Sequence, residues 1–328
     1  MKFKIGEVEI PNRIIVGPMA GVSNIAFREI AHEFGAGLIC TEMISDKGIQ
    51  YHNQKTKEMT KISNNEGLIS MQIFGHDVDS MVNIAQYLDQ ETTCNIIDIN
   101  MGCPVAKVVN SGSGSALMKN PELAYDIVSA VVSAVSKPVS VKMRLGWDNN
   151  SINVVEFAQL MEKAGASALT IHARTRAKMY SGVADWSLIK TVKEIVKIPV
   201  IGNGDVVSVE KAQQLLEETG CDAVMIARGV LGKPWLISEC LSVIDDPSYQ
   251  KEITLKDKFE IIDRHTKRLI SIKGEKIAIK EMRSQVAWYL HGLAGNNKVK
   301  EMVNKTESYS ELNEILSEYQ EWLEKLAD

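Results

Sequence analysis

The sequence predicts an α/β protein: a (β/α)8 TIM barrel over residues 1–245, followed by a smaller all-helical domain over 246–328. Three observations predict it. Short apolar runs alternate eight times with amphipathic stretches, the rhythm of parallel strands that return through helices. Nearly every run ends on a polar or turn-forming residue at the same phase. Beyond about residue 245 no strand candidate appears and only helical periodicity continues. A doubly wound sheet, the other common arrangement of βα units, rarely needs eight strands.

Ahead of the first unit, FKIGEVEIPN reads as a hairpin that turns at Gly6-Glu7 and closes the barrel floor. The strands follow as NRIIVGPM (12–19), AGLICTEM (36–43), GLISMQIFG (67–75), NIIDINMGCP (95–104), KPVSVKMRLGW (137–147), ASALTIHARTR (166–176), IPVIGNGDV (198–206) and CDAVMIARG (221–229). The helical stretches between them open with Asn, Asp or Ser and often close on Gly. Side-chain oxygens there satisfy free N–H groups, and glycine accepts the left-handed terminal turn. DDPSYQKE reads as a polar linker, with helices over about 254–272, 275–292 and 308–326.

Composition excludes several classes. Five scattered cysteines (Cys40, Cys94, Cys103, Cys221, Cys240), with no CxxC or Cys/His cluster, argue against a disulfide framework and a zinc site. No apolar run approaches membrane-spanning length, and MKFKIGEVEIPNR lacks an apolar leader core, so a cytoplasmic protein without a membrane or obligate protein partner is expected. The net charge of −5 argues weakly against nucleic acid. Its distribution softens that: residues 301–328 hold eight acids against Lys305 and Lys325, leaving the remainder near +1. RHTKRLISIKGEKIAIKEMR (264–283) carries seven Lys/Arg against Glu275 and Glu281. It reads as a basic surface or, more commonly, as a solvated helix face.

Barrel enzymes build their sites at the C-terminal strand ends. Those ends present Pro18-Met19-Ala20, Glu42, Gln72, Asn100 with Cys103, Lys142 with Arg144, His172 with Arg174, Asn203-Gly204-Asp205 and Ala227-Arg228-Gly229. The last two suit a phosphate, because glycine lets it approach the backbone and Arg228 adds a charged donor; two ordinary tight turns are the plainer reading. Lys142, inside an apolar strand, must lose its charge or meet an anion: the edge of a reduced flavin or a core carboxylate such as Glu42. His172 is a second polar contact or a structural histidine. Cys103 stands where its strand stops, on Gly102-Cys103-Pro104. With an ordinary thiol pKa it is mostly protonated at neutral pH and can act as a general acid.

VGPMAGVSNIAFR, TEMIS, MQIFG, DINMGCPVAKVVNSGSGSALM, VKMRLGWD, TIHARTR, IGNGDV, MIARGVLGKPW and MRSQVAWYLHGLAG together resemble the tRNA-dihydrouridine synthase family over essentially the whole chain. The resemblance implies an FMN-bearing barrel and a helical RNA-binding domain. It implies reduction of uridine in tRNA to 5,6-dihydrouridine, with NADPH recharging the flavin. It makes Pro18, Met19, Ala20, Gln72, Lys142, Asn203, Gly204, Asp205, Ala227 and Arg228 FMN contacts and puts His172 near the flavin. Cys103 becomes the proton donor to C5 of a flipped-out uracil, and Asn100 helps hold that base. Lys107, Arg174, Arg176 and Lys178 on rim loops are expected to meet tRNA phosphates. Arg283, with Trp288 and Tyr289, is expected to serve RNA binding from the helical domain, although the two aromatics equally suit packing; the acidic tail is expected to face away. Two rivals remain at this point: a flavin barrel acting on a free pyrimidine, and an RNA-binding protein with an idle barrel.

Overall fold

Alternation within the strands decides what fills the barrel. The computed structural model describes residues 1–50, 54–249 and 252–327. An antiparallel hairpin, β1 (Phe3–Ile5) and β2 (Val8–Ile10), comes first, turning at Gly6 with φ +56°. Eight parallel strand positions then close a ring: β3 (Ile14–Val16), β4 (Leu38–Cys40) with its continuation β5 (Ile44–Ser45), β6 (Ile69–Phe74), β7 (Ile96–Met101), β8 (Val139–Arg144), β9 (Ala168–His172), β10 (Val200–Asn203) and β11 (Ala223–Ile226). The ring closes where β11 pairs with β3, Val224 opposite Ile14.

Side chains of one parity face the helices; Ile97, Ile99 and Met101 of β7 join that outer core. The other parity faces inward. Its lowest layer is apolar and includes Ile15, Leu38, Ile96, Ala168, Ile201 and Ala223, capped by Ile5 and Ile10 of the hairpin. The hairpin therefore does close the floor. Towards the C-terminal ends the inward positions turn polar, and this change of chemistry along the axis creates the site.

The helices are α1 (Ile25–Glu33), α2 (Asp46–Gln50), α3 (Gln54–Met59), α4 (Val78–Glu91), α5 (Ala106–Val109), α6 (Pro121–Ala134), α7 (Val154–Lys163), α8 (Ser187–Ile195), α9 (Val209–Thr219) and α10 (Leu236–Ile244). Asn24, Asp77, Asn120 and Ser208 accept backbone N–H bonds at the starts of α1, α4, α6 and α9, and Gly220 ends α9 at φ +65°. Beyond lie α11 (Leu255–Lys273), α12 (Glu275–Tyr289), α13 (Asn296–Val303) and α14 (Tyr309–Ala327). They enclose a second apolar core with Phe259, Ile262, Ile279, Met282, Val286 and Leu312. Ala26 and Ile30 of α1, and Trp235, reach from the barrel into that core. At the same junction Arg268 pairs with Glu29 and Glu33, and Arg264 with Glu33 at 3.2 Å.

The fold class matches the expectation; details differ. The second strand breaks at Thr41–Met43, and both halves pair with β6. Helix α13 was not expected: NNKVKEMV is short, and only Val303 of it is buried. Within DDPSYQKE, residues 247–249 form a 3-10 turn and residues 250 and 251 lie outside those described. Among the described residues, no helix is long and apolar enough to cross a membrane.

Candidate active site

Two adjoining chambers open at the C-terminal end of the barrel. The larger, about 400 Å³, is lined by Pro18, Met19 and Ala20 after β3, by Lys142, His172 and Asn203, and by the turns at 204–207 and 227–229. The smaller, about 140 Å³, adds Met43, Gln72, Asn100 and Cys103. Pro18, Ala20, Lys142, His172 and Tyr180 border both. The structure thus brings every expected flavin contact, and the cysteine, to one place.

The glycine turns are shaped by contact. Gly204 has φ +127°, and a Cβ there would lie 3.0 Å from Ala184 Cβ. A Cβ on Gly229 would come within 2.3 Å of the Val206 carbonyl, so the two turns touch and only glycine fits. Asp205 also has a left-handed backbone, φ +57°. Its carboxylate turns away from the expected role: both oxygens accept from Arg174 at 2.7 Å, and one from the Ala184 N–H. Only as part of its turn does Asp205 line the chamber.

Lys142 is partly buried, and its Nζ donates to Asn203 Oδ1 at 3.3 Å. Burial first, then the Arg144 guanidinium, pulls its pKa down to about 8. The alternative pairing with Glu42 is not what the structure shows, since Glu42 accepts from the Gly21 N–H at 2.6 Å. His172 is 8% exposed, and its Nε2 is buried without a hydrogen-bond partner. Burial, reinforced by Lys142, Arg144, Arg174 and Arg228, drives its pKa far below the usual range, so the ring is neutral. An unpartnered ring nitrogen, a partly buried cation and glycine turns lining one chamber fit a heteroaromatic cofactor with a phosphate arm; a flavin mononucleotide has that chemistry.

Cys103 is held by its backbone. Asn100 Oδ1 accepts from the N–H groups of Gly102 (3.1 Å) and Cys103 (2.8 Å). Ser115 N and Oγ donate to the Cys103 carbonyl, and Arg144 Nε donates to the Gly102 carbonyl at 2.7 Å. The thiol is half-buried, and burial raises its pKa, so it carries its proton at neutral pH. The other four cysteines are buried and free, consistent with packing. Asn100 spends its oxygen on the cysteine turn, and its Nδ2 donates to Gln72 Oε1 at 2.7 Å. It thus positions the turn, and it also lines the smaller chamber.

The expected RNA contacts separate. Lys107 on α5 is exposed. Arg176 is partly exposed and lies over the Trp147 ring at 4.6 Å, as does Lys119 Nζ. Arg174 departs from the expectation of an exposed phosphate contact: it is 2% exposed, its Nε donates to the Ser181 carbonyl and its Nη2 to Asp205 and the Gly182 carbonyl, while its Nη1 is buried without a partner. Burial with an ion partner makes it structural. Arg283 donates to the Thr306 carbonyl and lines, with Lys276 and Lys280, a cavity of about 350 Å³. Most of the basic stretch 264–283 is engaged internally, Lys267 with Asp263 and Lys273 with Glu281, besides the two arginines at the junction. Tyr289 is buried against His265 and packs; Trp288 lines the larger chamber. Tyr180 escaped the sequence reading. It stands between the chambers with Arg228 over its ring at 4.6 Å and Arg144 at 5.5 Å. Its one signal was an aromatic in the polar loop RTRAKMYSG.

A closed parallel barrel with a cofactor-sized chamber beside a protonated thiol has the architecture of an α/β-barrel oxidoreductase and a site that a flavin would fit. The dihydrouridine synthase (Dus) family model matches residues 14–326, and the chain belongs to that family. It is 41% identical over 302 residues to "tRNA-dihydrouridine synthase B" of Pasteurella multocida, covering 92% of this chain and 91% of the relative. To "Probable tRNA-dihydrouridine synthase" of Rickettsia conorii it is 36% identical over 318 residues, covering 97% and 96%. Among solved structures, histamine dehydrogenase from Rhizobium sp. 4-9 superposes with a TM-score of 0.55 at 14% identity, over 81% of this chain and 50% of that one. That likeness concerns the fold alone.

Proposed function

We propose that the chain is a tRNA-dihydrouridine synthase that reduces uridines of the D-loop to 5,6-dihydrouridine, with FMN in the larger chamber and NADPH as reductant. The observation that carries this is the protonated Cys103 thiol in a single-ring-sized chamber that shares its wall with a phosphate-and-ring-sized one. When bound, the flavin supplies the hydride that C6 of the uracil receives. Lys142 and the neutral His172 would hold the ring, and the turns at 204–207 and 227–229, with Arg228, would hold the phosphate; Pro18, Met19 and Ala20 line the same chamber. Cys103, lining the smaller chamber, would give its Sγ proton to C5 of the uracil and so complete addition across the double bond.

A base within a folded RNA reaches such a chamber only by leaving its stack. Lys107 and Arg176 on the rim, and Arg283 in the helical bundle, would take the phosphates that hold it there. We accordingly assign the chemistry to residues 1–245 and tRNA docking to residues 246–328, in a cytoplasmic enzyme that works where tRNA is. Mass spectrometry of tRNA from cells lacking the gene tests this: D-loop uridines should lose their two extra hydrogens. Reduction of free uracil with no action on tRNA would instead establish the free-base reading.

A further inference from the structure

A chain of hydrogen bonds runs from the barrel interior to the cysteine turn. Ser140 Oγ donates to Asp98 Oδ1 at 2.6 Å, and Gln72 Nε2 donates to Asp98 Oδ2 at 2.6 Å. Asn100 Nδ2 donates to Gln72 Oε1 at 2.7 Å, and Asn100 Oδ1 accepts from Cys103 N at 2.8 Å. The strands set it up: Gln72 of β6 is directly opposite Asp98 of β7, and Asn100 lies two residues further along the same face. Asp98, Gln72 and Asn100 are 3%, 1% and 6% exposed, so water does not compete for these bonds.

Both ends of the chain have fixed polarity. The N–H of Cys103 only donates, and an ionised carboxylate only accepts. Each amide between them can turn either way on its own, yet only one arrangement satisfies every group: NH2 towards Asp98 and oxygen towards the cysteine. Reversing either amide would set donor against donor or leave a buried polar group unmet, which is costly. A carboxylate in a barrel interior is itself unfavourable unless hydrogen bonds compensate it. Burial indeed raises the Asp98 pKa to about 6.

We propose that Asp98 is a positioning residue: by accepting from Gln72 it anchors the barrel end of the relay, and so holds both amides and the turn that presents Cys103. Its consequence for catalysis rests on the reading of Cys103 as the acid; the positioning itself does not. Alkylation of the flavin-loaded protein by iodoacetamide, followed by mass spectrometry of each cysteine peptide, separates the two. Asp98→Leu removes the acceptor and should raise the labelling rate of Cys103 by about tenfold as the turn loosens. Cys94, Cys221 and Cys240 should stay protected, because they are buried away from the relay. Asp98→Asn still accepts through its amide oxygen and can donate to Ser140, so its Cys103 rate should remain within about threefold of wild type. Gln72→Met breaks the relay in its middle and should label like the leucine variant; it decides the matter if Asp98→Leu does not fold. An unchanged Cys103 rate in the relay-breaking variant, equal effects of Asn and Leu at position 98, or a rise at all cysteines together would overturn the proposal. Selective labelling alongside a wild-type protein inactive on tRNA would uphold the positioning and remove the functional reading instead.

Discussion

Lys142 Nζ donates to Asn203 Oδ1 at 3.3 Å across the barrel mouth, while Asn203 Nδ2 donates to the Met225 carbonyl. The asparagine is thereby fixed with its oxygen towards the cation, and the cation is held on the wall of the larger chamber. Because burial and Arg144 lower the Lys142 pKa to about 8, its charge is lost within an accessible pH range. The ring of reduced FMN is anionic and favours the protonated form, whereas the oxidised ring is neutral. Affinity for reduced FMN should therefore be steady between pH 7 and about pH 8 and weaken above it, by up to about tenfold per pH unit until the lysine of the complex itself titrates. Lys142→Met should bind reduced FMN more weakly at pH 7 and lose this dependence. Anaerobic binding titrations with dithionite-reduced FMN between pH 7 and 9 measure it, and parallel curves for the two proteins would contradict the assignment.

Cys103→Ala should leave flavin content at the wild-type level and slow tRNA reduction by on the order of 10²-fold or more, the scale of a missing general acid. Reduction of the flavin by NADPH should proceed at the wild-type rate. Stopped-flow absorbance of the two half-reactions makes the comparison, and a collapse of the NADPH step would remove Cys103 from its role.

The two arginines of HARTR should behave as opposites. Arg174→Ala breaks a largely buried ion pair with Asp205 and should destabilise the fold by about 3 kcal/mol in denaturant titrations. Arg176→Ala touches the rim and should leave stability within about 0.5 kcal/mol. It should weaken tRNA binding and reduce the slope of log affinity against log salt by about 1. An unchanged slope would take Arg176 out of the RNA surface.

His265 is fully buried in the helical core, with Nδ1 against the Tyr289 hydroxyl at 3.2 Å. Burial, and then Arg268, lowers its pKa to about 4 from 6.5. In the unfolded chain the ring takes up a proton near pH 6.5, while in the folded protein it waits until about pH 4. Its contribution is therefore complete above pH 6.5 and is lost as pH falls towards 4, about 3 kcal/mol over that window. His265→Gln should flatten this part of the stability profile. Urea unfolding at pH 7 and pH 4.5 checks it: the difference between the two should shrink in the variant.

Much of this arrangement was legible in the residues. Apolar runs bounded by Gly, Asn and Pro mark strands wherever the interior is dry, so all eight were found, and their ends named the chamber walls. The break in the second strand was not legible, because Thr41 and Glu42 in AGLICTEMIS read equally as the polar end of one strand, while in the fold Glu42 reaches for the Gly21 N–H and the chain resumes pairing at Ile44. Arg174 and Arg176 are two positions apart in a loop that obeys no period, so which of them is buried depends on Asp205, thirty-one positions on from Arg174. The argument that singled out Lys142 as a charge within an apolar strand applies equally to Asp98 in NIIDINM, yet its partners Gln72 and Ser140 lie on neighbouring strands. Sequence displays a buried charge readily and its company poorly.

Helix α1 belongs to two cores at once, its Ala26 and Ile30 packed with the bundle and Glu29 and Glu33 tied to Arg264 and Arg268. That shared spar ties the bundle to the barrel. If tRNA is gripped by both parts, as proposed, the span between them would select the nucleotide that is offered to Cys103.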